Sequence, residues 1–205
     1  MLDHLVYAVR DLDEGMDRIE QLTGVRPARG GKHAGRGTHN ALLSFGGDQY
    51  LEVIAPDPDQ ADLPSGRGFG LDHPGAARLV TWAAKAPSIA ERVKRARAAG
   101  YDPGDAWAMS RDLPDGSRLE WMLTRGGGMA GDGLVPFLID WGNSVHPSTT
   151  APGGVRLISV RAEHPDPEAI TAMLAALEVE MDVSRADEPA LIAALRGPAG
   201  EVELR

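Results

Sequence analysis

Two polar side chains stand out in the apolar stretch GTHNALLSFGGDQYLEVIAP: His39 near the start of one strand-like run and Glu52 inside the next. An imidazole and a carboxylate on neighbouring antiparallel strands share a face when their registers agree, and such a pair can move a proton or hold a metal ion. Three more histidines could join them: His4 in HLVYAV, His73 in LDHPG and His146 in DWGNSVHP. His146 lies in an irregular stretch of the kind that closes over a pocket. The chain has no cysteine, which excludes thiolate nucleophiles, disulfides and cysteine-held metals. Any metal must be held by His, Asp, Glu or water. Only 5% of residues are aromatic, so Trp82, Trp121 and Trp141 are needed for a core. As the functional alternative, these tryptophans and Tyr50 wall a pocket for a partly apolar ligand.

The charge balance narrows the partners. With 21 Lys and Arg against 30 Asp and Glu, the formal charge is -9, which repels a nucleic-acid backbone. No apolar run is long enough to cross a membrane, and Met1 leads almost directly into HLVYAV without a targeting signature, so a soluble cytoplasmic protein is expected. One basic segment, VRPARGGKHAGRG, gathers Arg26, Arg29, Lys32 and Arg36 among glycines. It reads as a solvated loop, or as a mobile lid that attracts a carboxylate or phosphate. No G-x-S-x-G elbow or Walker sequence is present, and the glycine run RGGGMAGDG lacks the strand-to-helix setting of a dinucleotide site.

These residues must be positioned by a repeating pattern. HLVYAV reads as a strand and DLDEGMDRIEQLTG as a helix, with Asp11 and Glu14 at capping-box spacing and Gly24 as its stop. Two strands follow, THNALLSF and QYLEVIA, punctuated by glycine. The plan recurs with ARLVTWAAK, then a helix capped by Ser88 with Glu91 three residues on, then DAWAMSRD, SRLEWMLT after the turn PDG, and VPFLIDW. A third copy starts at GVRLISVRA, continues with a helix opened by Pro167, and ends with LEVEMDVS, PALIAALRG and GEVELR. The units span residues 1–56, 76–142 and 154–205 of one domain, and units this small must pair to bury their sheets.

The phrases LDHLVYAV.DLDE, GTHNALL..GG..YLEVIAPDP, PDG..LEW, PFLIDWG...HP and EHPDPE, in that order, resemble the glyoxalase-like domain family of the vicinal oxygen chelate superfamily. The resemblance implies an α+β fold in which βαβββ units pair into a cup-shaped mixed sheet with helices outside. It also implies metal ligands on the first and last strands of each unit, which here gives His4 and Glu52. His39, on the strand next to Glu52, is expected to complete their site in place of a missing ligand, with Asp140 or His146 assisting. Zn, Fe, Mn, Co or Ni would suit that donor set. The second unit departs from the family pattern. Arg78 stands at the position of His4, and the last-strand carboxylate is Asp140 or Glu120, of which Asp140 is preferred. The third unit has Leu157 or Ile158 in place of a histidine and keeps Glu203. Members of the superfamily include isomerases, epimerases, ring-cleaving dioxygenases and metal-free sequestering proteins, so the fold alone leaves the reaction open. The expectation is a metal-assisted enzyme acting on a small-molecule substrate, with a metal-free binding protein as the rival. The third unit is a candidate surface for a homodimer.

Overall fold

A computed structural model describes residues 1–60, 66–73, 75–112, 118–124 and 129–205. The expected PDG turn at 114–116 lies outside the described residues, as does Pro74 of LDHPG. The first unit is β1 (Leu2–Ala8), α1 (Leu12–Thr23), β2 (Ala28–His33), β3 (Thr38–Gly46) and β4 (Gln49–Pro56). The second is β5 (Arg78–Lys85), α2 (Ile89–Ala98), β6 (Ala106–Asp112), β7 (Arg118–Thr124) and β8 (Phe137–Asp140). Their strands form one curled sheet of eight, in the order β2-β3-β4-β1-β5-β8-β7-β6. In each unit the first strand runs parallel to the last, and the units join through the antiparallel pair β1–β5. This is the paired βαβββ cup.

Alternation along the strands separates two apolar layers, because successive side chains point to opposite faces. Val6, Ala8, Ile54, Val80, Phe137 and Ile139 face the inside of the cup. Leu5, Tyr7, Leu51, Val53, Trp82 and Leu138 face outward, where Met16 and Ile19 of α1 and Val93 of α2 cover them. The curl brings β6 round to the first unit: Arg111 of β6 donates to Asn40 of β3 at 3.1 Å, and Arg36 lies 3.4 Å from Sδ of Met109. The basic segment expected to be a loop therefore contains a strand, β2, on the sheet edge. Three of its four cations are ion-paired: Arg26 with Asp17 and Glu20, Arg29 with Asp13, and Lys32 with Asp57 and Asp59.

The last segment comprises β9 (Arg156–His164), α3 (Pro167–Ala176), β10 (Asp182–Arg185), β11 (Ala190–Gly197) and β12 (Gly200–Leu204). It repeats the order of elements but not their pairing. Its sheet runs β10-β9-β11-β12, so β9 lies parallel to β10 and antiparallel to β11. Element order constrains which strands exist and leaves their partners to packing. Leu191, Ala193 and Leu195 of β11 and Leu174 of α3 join the outer core, so this sheet closes the side of the cup that carries the helices.

The helix ends follow the sequence in part. Asp11 accepts the backbone N–H groups of Asp13 and Glu14, Gly24 closes α1 with φ 80°, and Asp166 caps α3 ahead of Pro167. Ser88 does not cap α2 through its side chain. It adopts φ 60°, and its own N–H is taken by Asp140 at 3.1 Å.

Candidate functional site

The cup encloses a cavity of about 370 Å³. One end is polar, lined by His4, His33, Asn40, Glu52 and Arg111. Phe69, Met109, Trp121, Phe137 and Trp141 make the remainder apolar. Several strands supply the polar end because their even-numbered residues share a face: His4 pairs with Tyr50, Val6 with Glu52, Leu42 with Glu52 and Asn40 with Ile54.

Behind His4 lies a carboxylate that the sequence reading missed. Between Leu2 and His4, β1 advances two residues while β5 advances one, from Ala84 to Ala83. Such a bulge re-aims a side chain, and here it brings Asp3 to the same side as His4. Asp3 is fully buried and accepts from His4 Nδ1 at 2.7 Å, from His146 Nε2 at 3.2 Å and from Trp141 Nε1 at 3.2 Å. Burial raises its pKa, but the hydrogen bonds from His146 and His4 outweigh that and hold the carboxyl well below the usual range. An ionised carboxylate can only accept, so the His4 Nδ1 carries hydrogen and its Nε2 faces Glu52 Oε2 at 3.7 Å. Tyr50 stacks on the His4 ring with centroids 4.6 Å apart and fixes its plane.

Asn40 organises the other side. Its amide donates to Glu52 Oε1 at 2.6 Å and lies 3.3 Å from His33 Nε2, while its carbonyl oxygen accepts from Arg111. His33, on β2, stands 3.8 Å from Glu52 Oε1. Burial lowers the His33 pKa and Arg111 adds to that, against an opposing pull from Glu52, so the ring is neutral at neutral pH.

The structure therefore gathers His4, Glu52 and Tyr50, with Trp121 and Trp141 along the wall, and adds Asp3, His33, Asn40 and Arg111. His146 lies behind the cavity. Its Nδ1 accepts the Ser148 N–H, which leaves Nε2 to donate to Asp3. Three expected residues fall elsewhere. His39 has the opposite parity to Asn40 and faces an outer groove with Asp11 and Asp57. Asp140 has the opposite parity to Ile139, and its oxygens accept from the N–H groups of Ser88 and Gly142 outside the cup. Trp82 is 2% exposed in the outer core, donating to the Leu134 carbonyl at 2.8 Å, so it does not wall the pocket. His73 is exposed, and Glu120 and Glu203 also lie on the surface.

A metal ion needs donors that converge on one point. Among the described residues, no three His, Asp or Glu side chains do so. His4 and His33 approach different oxygens of Glu52, and the expected third ligand, His39, lies on the other face of the sheet. From the second unit, β5 and β8 bring Val80, Ala83, Phe137 and Ile139 to the inside of the cup, none of which can ligate. Arg111 adds a positive charge beside Glu52, which opposes a second cation. This donor set does not fit a resident divalent metal.

The sequence pattern of the glyoxalase-like domain matches residues 2–178, from β1 through α3. The chain belongs to the glyoxalase-like domain family, within the vicinal oxygen chelate superfamily. In this glyoxalase-like protein, β10 to β12 lie beyond the matched region. A hypothetical protein from Staphylococcus aureus has a similar structure, with 13% identity and a TM-score of 0.63 over 98% of this chain and 84% of that one. At that identity the likeness shows the fold alone. Methylmalonyl-CoA epimerase from Mycobacterium tuberculosis gives 20% identity and a TM-score of 0.43 over 67% of this chain and 85% of its own. A hypothetical protein from Bacillus halodurans C-125 gives 14% and 0.47 over 71% and 96%. Among curated protein sequences none matches. No helix among the described residues is long and apolar enough to cross a membrane.

Proposed function

We propose that this protein is a small-molecule enzyme of the vicinal oxygen chelate type that moves a proton on a partly apolar carbonyl substrate, with Glu52 as the group that takes and returns it. The observation that carries this reading is the setting of Glu52. It is 8% exposed at the polar end of an aromatic cavity, with Oε1 held by Asn40 and Oε2 facing His4 Nε2 at 3.7 Å. Oε2 accepts no hydrogen bond among the described residues and is available to a C–H proton. His4, its ring held by Asp3 and Tyr50, presents Nε2 to the same end of the cavity. Isomerisation, epimerisation and elimination share this first step, and the donor set gives no reason to route it through a metal.

A second reading is a metal-free protein that sequesters an amphipathic ligand. It is favoured by the inner positions of β5 and β8, where Val80, Ala83, Phe137 and Ile139 offer no charged or titratable group. Proton exchange separates the two. Aryl and alkyl carbonyl compounds with an acidic α C–H, incubated with the protein in D₂O, should lose their α-proton NMR signal faster than in protein-free controls. Binding of several such compounds with no faster exchange would support sequestration and contradict the enzyme.

A further inference from the structure

We infer that the ligand of this cavity is an amphipathic carboxylic acid whose carboxylate is held by Arg111, with Arg36 beside it. This rests on the reading of the cavity as a substrate site and adds the class of substrate.

In a chain with nine more acidic than basic residues, arginines find carboxylates easily, and Arg26, Arg95, Arg97 and Arg161 are each ion-paired. The two that line the cavity have no such partner among the described residues. Arg111 is 7% exposed; among the described residues its guanidinium makes one hydrogen bond, to Asn40 Oδ1, and its Nε has no partner. Arg36 donates to the Met109 thioether, a weak acceptor that carries no charge. A guanidinium stays charged, and a buried charge without a counter-ion is costly, so the site is completed by an anion. Burial lowers the Arg111 pKa, which is the signature of a cation short of solvation.

Glu52 attracts Arg111 but forms no ion pair with it: the Asn40 amide stands between the two, donating to one and accepting from the other. His33 is neutral and adds no negative charge. The backbone is also shaped for Arg111, because a Cβ at Gly30 would sit 2.8 Å from its Nη1 and 2.4 Å from Asn40 Oδ1. Glycine is what lets the guanidinium lie against β2. A carboxylate matches a guanidinium in shape and carries the single charge that a neighbouring Glu52 tolerates best. The walls of Phe69, Trp121, Phe137 and Trp141 then call for an aromatic or alkyl body.

The test uses 4-phenylbutyrate, with 4-phenylbutanamide and 4-phenylbutylamine as neutral and cationic matches, titrated by calorimetry into the full chain. The acid should bind at least ten-fold more tightly than the amide, and the amine more weakly still. Arg111→Met should abolish the preference for the acid, Arg111→Lys should keep part of it, and Arg36→Gln should reduce it several-fold. Equal binding of acid and amide to wild type would overturn the inference. So would an undiminished acid preference in an Arg111→Met variant that melts like wild type, or no binding of any probe at millimolar concentration. Glu52→Gln separates the two proposals, since it should still bind the acid. Acid preference without α-proton exchange in wild type would contradict the proposed enzyme alone, and exchange on neutral compounds without acid preference would contradict this inference alone.

Discussion

Asp3 and His4 are consecutive residues of one strand, yet their side chains meet, with Asp3 Oδ1 2.7 Å from His4 Nδ1. Regular alternation forbids that contact, and the bulge against β5 produces it. The result is a buried carboxylate that sets the tautomer of a cavity-lining histidine, and with it the face that His4 presents to Glu52. Asp3 also anchors His146 and Trp141, so one side chain ties β1 to the segment that follows β8.

Asp3→Asn tests that role. The folded state favours ionised Asp3, so its contribution is fully present above the unfolded carboxyl value, about pH 4, and is lost as the pH falls below it. The variant should lose about 1–3 kcal/mol at pH 7. Urea melts across pH 3 to 7 should show the gap between wild type and variant narrowing below pH 4. A constant gap would argue against ionised Asp3 as the acceptor.

His39 and His33 give a paired test. His33→Ala removes a ring from the Asn40–Glu52 cluster and should slow α-proton exchange by ten-fold or more. His39→Ala alters only the outer groove, and exchange should stay within two-fold of wild type. The reverse ranking would return His39 to the site.

The parity of these residues explains how much of the site was legible. The cup, its helices and the inward placement of Glu52 followed from apolar spacing, glycine stops and the family phrases. Which side chains join Glu52 depends on the β3–β4 hairpin. Gly46 faces Gln49, but the next pair is Ser44 with Tyr50, so Phe45 is an extra residue and Gly46 takes φ 81°. Without that bulge, His39 would share the face of Glu52. With it, Asn40 does, because a slip of one residue exchanges the faces of a strand. Asp3 was hidden by a second bulge, and His33 by a glycine-rich strand that looks like a loop. The loose parity of Asp140 and Trp82 was a matter of which residue of each strand faces inward, which apolar composition on both faces does not reveal. Arg111 was unreadable for another reason: its partner Asn40 is 71 residues away and meets it only through the curl of the sheet.

Trp82 offers a stability test independent of the cup. Trp82→Phe keeps most of the buried ring but leaves the Leu134 carbonyl without its indole donor. The expected loss is about 1–3 kcal/mol in urea unfolding. Binding of 4-phenylbutyrate should change less than two-fold, because the ring packs in the outer core. A large loss of binding at unchanged stability would place Trp82 in the pocket after all.

The central claim is that Glu52 moves the proton without a resident metal. The direct measurement is the rate of α-proton exchange in D₂O for chelator-treated wild type and for Glu52→Gln, on the same compound, with the metal content of both proteins determined. The account predicts exchange by wild type holding less than about a tenth of an equivalent of transition metal, and a fall of at least a hundred-fold, roughly 2.7 kcal/mol of barrier, in the variant. Exchange that disappears with the chelator and returns with added metal, or that survives in Glu52→Gln, would contradict it.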